Sequence, residues 1–534
     1  MKSSTAQLIQ IPVRNLIRLP ALPKLVWLCL LGSLACAGAH ATPFGEPFNP
    51  AKFTLYEAAT GATTASYGLS SPVDVVLVIS GSSGSAKALG SFVIYSNCLL
   101  PTLAVMWDSA AGNNHRTYAC DLSPTNVING GAGGSLVVVK RDDGGSIQGV
   151  LPIYTPSRIA MMQVGKVVSA YSGATVANNC VSTGNAASLN TPSHICGSTV
   201  PLFPDAGVSD LEPLMFADPV NGGVGFEAVY STTVTTKQLF QQVMGVAVNL
   251  KLYRALQATQ SFAQDDFEGN RPSLPPDFIA SALLGNLSSS QTARRGWGLV
   301  VSAAADANVV TKQINICRGI EGSGAQAASN AYFAGQCGSG RINPLTYQGA
   351  VGVTGTTTAV VESSSSGASE NCLMNVDLAT GAPDNNAYGL GIVSRNSDPF
   401  SPTDKRYRFV KLNGLHPEAH TDRTTGKCDT TRNFPGCADA QLGKYDFVYE
   451  STMQWNSLTP GNASKLAWLQ NISKKAFVPP QLQLGDAAAN AGLMALSTSY
   501  SGAYDNLALG NASQVYGSRV SRGTNSCSPL TVRR

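Results

Sequence analysis

Apolar and polar positions along the chain alternate between two patterns. Short runs of Val, Ile and Leu with almost no polar interruption read as strands buried on both faces. Segments with apolar residues at helical spacing follow several of them. Val73–Ser80 (VDVVLVIS) predicts such a strand, passing through Gly81-Ser82-Ser83-Gly84-Ser85 into a helix over Ala86–Tyr95. Leu136–Lys140 (LVVVK) repeats the strand and leads into Gly144-Gly145-Ser146-Ile147-Gln148-Gly149-Val150. Asp205–Phe216 places Asp210 in a short loop after a further strand, and Val243–Asn249 runs into a helix over Leu250–Gln260. After the break at Pro272–Pro276, Asp277–Gly285 predicts a short amphipathic helix with a glycine C-cap. Val309–Cys317 is strand-like and reaches Arg318, a Gly-containing turn, and an Ala-rich helix opening at Ser323-Gly324. Tyr388–Ser394, Tyr407–Leu412 and Tyr445–Thr452 read as strands. Residues 165–205, polar and rich in Gly, Asn and Ser, read as a long surface insertion; Val361–Ala387, with four consecutive serines, reads as loop; and the chain beyond Asn506 shows no periodicity.

Strands alternating with helices predict α/β lobes built on parallel sheets. In such sheets ligands sit beyond the carboxyl ends of the strands, where helix N-termini converge. A Ser-Gly pair at a helix start offers unpaired backbone N–H groups and a hydroxyl, backed by the positive end of the helix dipole. With an arginine fork beside it, the arrangement suits a tetrahedral oxyanion. Asp210 reads in two ways: as the N-cap of the segment starting at Leu211, or as an acceptor for a ligand that keeps a proton, since a carboxylate repels a fully ionised oxyanion such as sulfate. The Gly-rich turn between Gly130 and Gly134 lacks the spacing and the following helix of a dinucleotide loop.

With 534 residues the chain can bury a large core in two lobes or domains. Arg14, Arg18 and Lys24 precede an apolar run, Leu25–Ala37, that ends in Ala39-His40-Ala41, the pattern of a secretory signal peptide cleaved after Ala41. Cleavage removes four basic residues and no acidic ones, so the formal charge of +4 becomes 0, from 32 basic and 32 acidic side chains. A balanced chain without Lys/Arg runs gives no electrostatic case for nucleic acid or a membrane surface. Ten of the twelve cysteines remain, an even number fitting an oxidising compartment. Pairing of sequence neighbours would join Cys98 to Cys120, Cys180 to Cys196, Cys317 to Cys337 and Cys428 to Cys437, leaving Cys372 and Cys527. No C-x-x-C occurs, so structural disulfides are expected rather than zinc or redox sites.

These loops, in this order, resemble those of the phosphate-binding (PstS-like) branch of the type II periplasmic binding proteins. That family's strand–Gly-Ala-Gly-(Ser/Thr)-Phe-Pro–helix is similar to Ile79-Ser80-Gly81-Ser82-Ser83-Gly84. Its Gly-Ser-Ser-Gly-Gly segment is similar to Gly144–Gly149, its Gly-Ala-Ser-Asp-x-Pro segment to Gly207–Pro213, and its Arg-x-x-Gly-Ser-Gly-Thr loop to Arg318 through Ala325. The crossover strand ending in Val-Asn matches Val246–Asn249, and further likeness runs through Ile279–Leu287 and Tyr388–Val393. The resemblance covers most of residues 70–455. It implies a two-lobed α/β fold with central mixed and parallel sheets and a hinge cleft: lobe I over 42–245, lobe II over 246–440, and a return segment with a C-terminal tail over 441–534. It implies that Ser83, Gly84, Ser146, Asp210, Arg318, Ser323 and Gly324 contact the oxyanion, with Arg318 bidentate and Asp210 accepting from a protonated oxygen. Three positions depart from the pattern. Ala325 replaces the family's threonine, Gly84-Ser85 replace Phe-Pro, and Arg318 lies one residue further from Ser323, with Gly319 at the family's arginine position.

The expected function is a periplasmic or secreted monomeric binding protein, without cofactor or metal, that captures phosphate or a related oxyanion for an ABC permease. The other reading is an extracellular protein that reuses the fold for scavenging, adhesion or assembly. An enzyme is disfavoured: no G-x-S-x-G, P-loop or H-E-x-x-H is present. His416 and His420, separated by Pro417, read as a solvated loop rather than a zinc site.

Overall fold

The computed structural model describes residues 73–109, 114–126, 128, 133–164, 166–168, 179–197, 199–222, 233–285, 287, 296–335, 358–378, 387–400, 403–417, 438–459, 462–476, 493–496, 517–523 and 525–532. Residues 1–72 lie outside the described ones, and the signal-peptide expectation falls there. His420, Cys337, Cys428 and Cys437 also lie outside them.

One mixed sheet of 15 strands organises Pro43–Arg534. In chain order its first half comprises β1 (Val73–Ser80), helix α1 (Ala86–Asn97), β2 (Ala104–Asp108), β3 (His115–Asp121), β4 (Ser135–Arg141), β5 (Lys166–Val168), β6 (Asn179–Ser182), β7 (His194–Cys196) and β8 (Ala206–Ser209). The long β9 (Val234–Asn249) follows, then α2 (Leu250–Thr259), α3 (Pro276–Leu283), β10 (Gln313–Gly319), α4 (Gly324–Phe333), β11 (Thr358–Ser363), α5 (Ser366–Leu378), β12 (Ala387–Ser394) and β13 (Tyr407–Phe409). The chain returns through β14 (Val448–Asn456), α6 (Asn462–Lys475) and β15 (Leu493–Ala495). The strand order is β11-β10-β12-β9-β14-β8-β1-β4-β3-β2-β7-β6-β5, with β13 and β15 also paired to β9.

β9 belongs to both halves. Val234–Val243 pairs antiparallel with β14, while Met244–Val248 pairs antiparallel with β12. Within the first half β8, β1 and β4 run parallel, and within the second β10, β11 and β12 do. Each half buries both faces, which is why its strands are continuous apolar runs rather than alternating ones. Leu77, Ile79 and Val138 pack under α1 and α6 with Phe92, Trp468, Leu469 and Ile472. Val78, Met106 and Val139 pack on the opposite face. In the second half Val246, Val248, Ile314 and Ile316 meet α2, α3 and α4, and Ala247, Cys317 and Val393 meet α5.

Several expectations change. Residues 165–205 are not simply a surface insertion: β5, β6 and β7 extend the main sheet beyond β2. Val361–Ala387 holds the end of β11 and all of α5, whose apolar side is reduced to Cys372, Leu373 and Val376, too few to show helical periodicity. The Tyr445–Thr452 strand lies further on, at Val448–Asn456. α6 has no counterpart in the sequence reading. Beyond Asn506, Val520–Ser521 and Thr531–Val532 pair as a short ribbon. Cys98–Cys120 and Cys180–Cys196 are joined as expected, but Cys317 is bonded to Cys372, not Cys337. α5 packs back over β10 after the parallel β10–β11 pairing, which brings Cys372 onto Cys317. Cys527 is also disulfide-bonded. No helix among the described residues is long and apolar enough to cross a membrane.

At the rim of β2 and β3 burial sets two titrations against each other. Desolvation pushes Asp108 up to about 6 and, with the nearby Arg141 charge, pushes His115 down to about 4. Between pH 4 and 6 the folded chain holds the Asp108 proton more tightly than the unfolded chain, so this group makes stability fall as pH rises. His115 is buried neutral and gains its proton on unfolding, so over pH 4 to 6.5 it makes stability rise. Asp108→Asn leaves the histidine slope alone. Its Tm should climb with pH between 4 and 6.5 more steeply than that of the unsubstituted chain; parallel profiles would refute this origin.

Candidate functional site

Six strand ends point at one place. β1, β4 and β8 deliver Gly81–Ser85, Gly144–Gly149 and Asp210 from the first half, and β10, β11 and β12 deliver Gly319–Ser323, Ser364–Ser366 and Asn396 from the second. The loops leaving β1 and β4 each form a single 3-10 turn, at Ser83–Ser85 and Ser146–Gly149. Gly81 takes φ +90, and a Cβ there would stand 2.3 Å from the Val208 carbonyl oxygen, so only glycine lets β1 turn against β8. Between the two halves lies a small cavity lined by Ser83, Asp210, Ser323, Gly324, Ala325 and the serines at 364, 365, 366 and 369.

The halves touch across this cleft. Ile147 N–H donates to the Gly322 carbonyl at 2.9 Å, Ser83 Oγ lies 3.2 Å from Ser366 Oγ, and Asn396 Nδ2 donates to the Gly84 carbonyl.

Helix starts supply the donors. Ser323 caps α4, its Oγ accepting from Gln326 N–H at 3.4 Å, and the first α4 amides have no intrahelical acceptor. Ser365 does the same for α5, accepting from Ala368 N–H at 3.3 Å. Each hydroxyl keeps its own proton for another acceptor.

Among the described residues, Asp210 is the only acidic or basic one on the cavity wall. It is buried, and its Oδ1 accepts from Gln242 Nε2 at 2.7 Å and from Ser82 Oγ, while Oδ2 accepts from Ser146 Oγ at 2.9 Å. With three donors on its two oxygens, its role toward a ligand is that of an acceptor. It does not act as an N-cap for the segment after Leu211, which continues as a 3-10 turn capped at Glu212 without a side-chain bond.

The seven predicted residues therefore divide. Ser83, Asp210, Ser323 and Gly324 share the cavity wall. Gly84 lies just behind it: a Cβ there would come within 3.1 Å of Asp210 Oδ1. Ser146 is fully buried and its proton is already given to Asp210, so it positions the carboxylate rather than facing the cavity. Arg318 is not brought to the wall. Its Nη2 and Nε donate to Glu362 Oε1 at 2.5 and 3.0 Å, from the directly paired position on β11. The reason is strand parity: Arg318 shares a face with Ile314 and Ile316, and one residue on, Gly319 is the position that faces Ser323, where a Cβ would lie 2.2 Å from its Oγ. His416, read as solvated, is buried, with Nε2 on the Phe409 carbonyl at 2.8 Å and Nδ1 beside Arg271 at 3.1 Å.

Ser364, Ser365, Ser366 and Ser369 were missed, as was Gln242 from β9. The signal for the serines was present: Thr358–Val361 is a β-compatible run entering four serines, the same strand–small-residue–helix pattern found after β1 and β10.

No family model matches the sequence. No curated protein is similar to it in sequence. Among solved structures the chain is similar to a candidate phosphate ABC transporter substrate-binding protein from Clostridium perfringens, solved with bound phosphate (TM-score 0.35, 10% identity, covering 79% of this chain and 100% of that one). It is similar to PstS from Borrelia burgdorferi (TM-score 0.30, 8% identity, 77% and 96% covered) and to an ABC-type phosphate transport receptor from Vibrio cholerae (TM-score 0.26, 12% identity, 52% and 78% covered). The OxyR regulatory domain of Pseudomonas aeruginosa appears at a TM-score of 0.22.

Proposed function

We propose that the cleft binds a protonated tetrahedral oxyanion, hydrogenphosphate first, and that the protein is an exported solute-binding protein serving ABC-type uptake. One observation carries the reading: helix starts and serine hydroxyls from both halves converge on a small cavity where, among the described residues, the one acidic or basic wall group is a carboxylate held as an acceptor. Amides and hydroxyls donate to the bare oxygens of the ligand, and Asp210 accepts from its P–OH. Sulfate has no proton to give and meets the carboxylate as a like charge. The neighbours named for phosphate transport are in keeping with this chemistry without deciding it. Three disulfides fit an oxidising compartment, as export would provide. The partner proposed is an ABC permease, and the binding unit a monomer.

Calorimetric titration of the chain with phosphate, arsenate and sulfate tests the reading. Phosphate and arsenate should bind and sulfate should not; no heat with any of them up to millimolar concentration would remove the oxyanion. The same titration on Arg318→Ala should give affinity within about threefold of the unsubstituted chain, because that guanidinium serves Glu362. The cost should appear as about 1–3 kcal/mol of unfolding free energy in urea, from a lost charged hydrogen bond. A hundredfold weaker titration would return Arg318 to the ligand.

A further inference from the structure

Lys140, near the end of β4, is fully buried, an uncommon place for a lysine. Its ammonium lies beneath the loop that carries Ser83. It donates to the Gly81 carbonyl, to the Ser82 carbonyl at 3.4 Å, to the Arg141 carbonyl at 2.8 Å and to Asp142 Oδ1 at 2.6 Å. The backbone it clasps is strained: Gly81 has φ +90 and Ser82, which is not glycine, has φ +29. Ser82 in turn gives its hydroxyl to Asp210. Asp142 is itself buried, and its other oxygen lies 3.8 Å from Arg116 Nε. Asp142 and, beyond it, Asp108 and Asp143 stand against Lys140, Arg116 and Arg141, and Asp210 also acts on the ammonium.

Resting on the oxyanion reading above, we infer that Lys140 is the positioning residue of the binding loop, holding the Gly81-Ser82 bend from beneath. Two carbonyls turned down onto the ammonium fix the Gly81-Ser82 bend. That bend turns Ser83 toward the cavity and Ser82 toward Asp210. Lys140 does so without touching the ligand, which distinguishes it from an arginine fork at the wall. Burial works against the ammonium, while the Asp142 and Asp210 carboxylates favour its charged form. A buried pair of this kind is weak evidence for stability alone, because apolar residues of similar volume often do as well.

Two variants of the whole chain separate a positioning role from a merely structural one. Asp142→Asn removes one negative charge but keeps the ammonium and its hold on the loop. It should lower stability yet bind phosphate within about threefold of the unsubstituted chain. The double variant Lys140→Met/Asp142→Asn removes both members of the pair together and leaves Arg116 beside Asp108. It should bind phosphate at least tenfold more weakly and exchange the amide hydrogens of residues 81–85 faster than the unsubstituted chain. If both variants bind with unchanged affinity, or both weaken alike in step with lost stability, the inference fails. The exchange measurement needs no ligand. Should the unsubstituted chain bind no oxyanion, unchanged exchange at 81–85 would still overturn the positioning role, and faster exchange would sustain it while the oxyanion reading alone falls.

Discussion

Gly324→Ala is expected to weaken oxyanion binding by on the order of 100-fold while leaving the fold intact. A Cβ at this position would lie 2.3 Å from Asp210 Oδ2, 2.5 Å from Asp210 Cβ and 2.5 Å from Ser146 Oγ. Either the carboxylate leaves its three donors or the start of α4 withdraws from the cavity. A lost hydrogen bond to a charged group costs about 1.5–3 kcal/mol, which is about 10- to 100-fold in affinity, and displacing Asp210 endangers more than one. The backbone gives no competing explanation, since alanine favours a helix over glycine by about 1 kcal/mol. Calorimetric titration with phosphate, alongside circular dichroism to confirm the helices, decides it. Undiminished affinity would show that α4 and Asp210 can part without consequence, and the cavity would lose its claim as the site.

The second large effect concerns stability. Lys465, in α6, meets Asp205 Oδ2 at 2.6 Å, and both side chains are only 5% exposed. The same oxygen accepts Val78 N–H at 2.8 Å, so one carboxylate joins α6 to β1 at the base of β8. Lys465→Met would leave that carboxylate buried and uncompensated, at a cost of about 3–5 kcal/mol. Urea unfolding should show it as a lower midpoint with an unchanged slope. A loss below about 1 kcal/mol would mean that water reaches Asp205 and that the pair is not sealed.

Gly324→Ala acts across the cleft on Asp210, just past the end of β8, and Lys465→Met acts on Asp205, just before its start. One end is tied down by a buried ion pair under α6, and the other presents loops whose atoms are arranged around Asp210. The disulfide between Cys317 and Cys372 does comparable work in the second half, fastening α5, and with it the serines at 365 and 366, to the strand that leads to Ser323.

What was legible in the residues was local. The apolar run of β1, the cap at Ser323, the glycine that ends α3 and the succession of Ser/Gly turns after strands all depend on neighbours a few positions apart, and each was found where the sequence placed it. Chemistry that depended on which way a side chain faces, or on what a distant strand brings beside it, was not legible. Arg318 is one residue out of phase with the cavity, and a period of two turns that offset into a different face and a different partner, Glu362. Ser146 looked like a donor to a ligand but spends its proton on Asp210, 64 positions away. Cys317 bypasses its nearer sequence neighbour because a parallel crossover folds α5 back over β10. Lys140 ended an apolar run like any strand-terminal lysine until packing closed over it. Short-range capping and turn preferences are written into consecutive residues, whereas the direction of a buried charge is set only when separate strands meet.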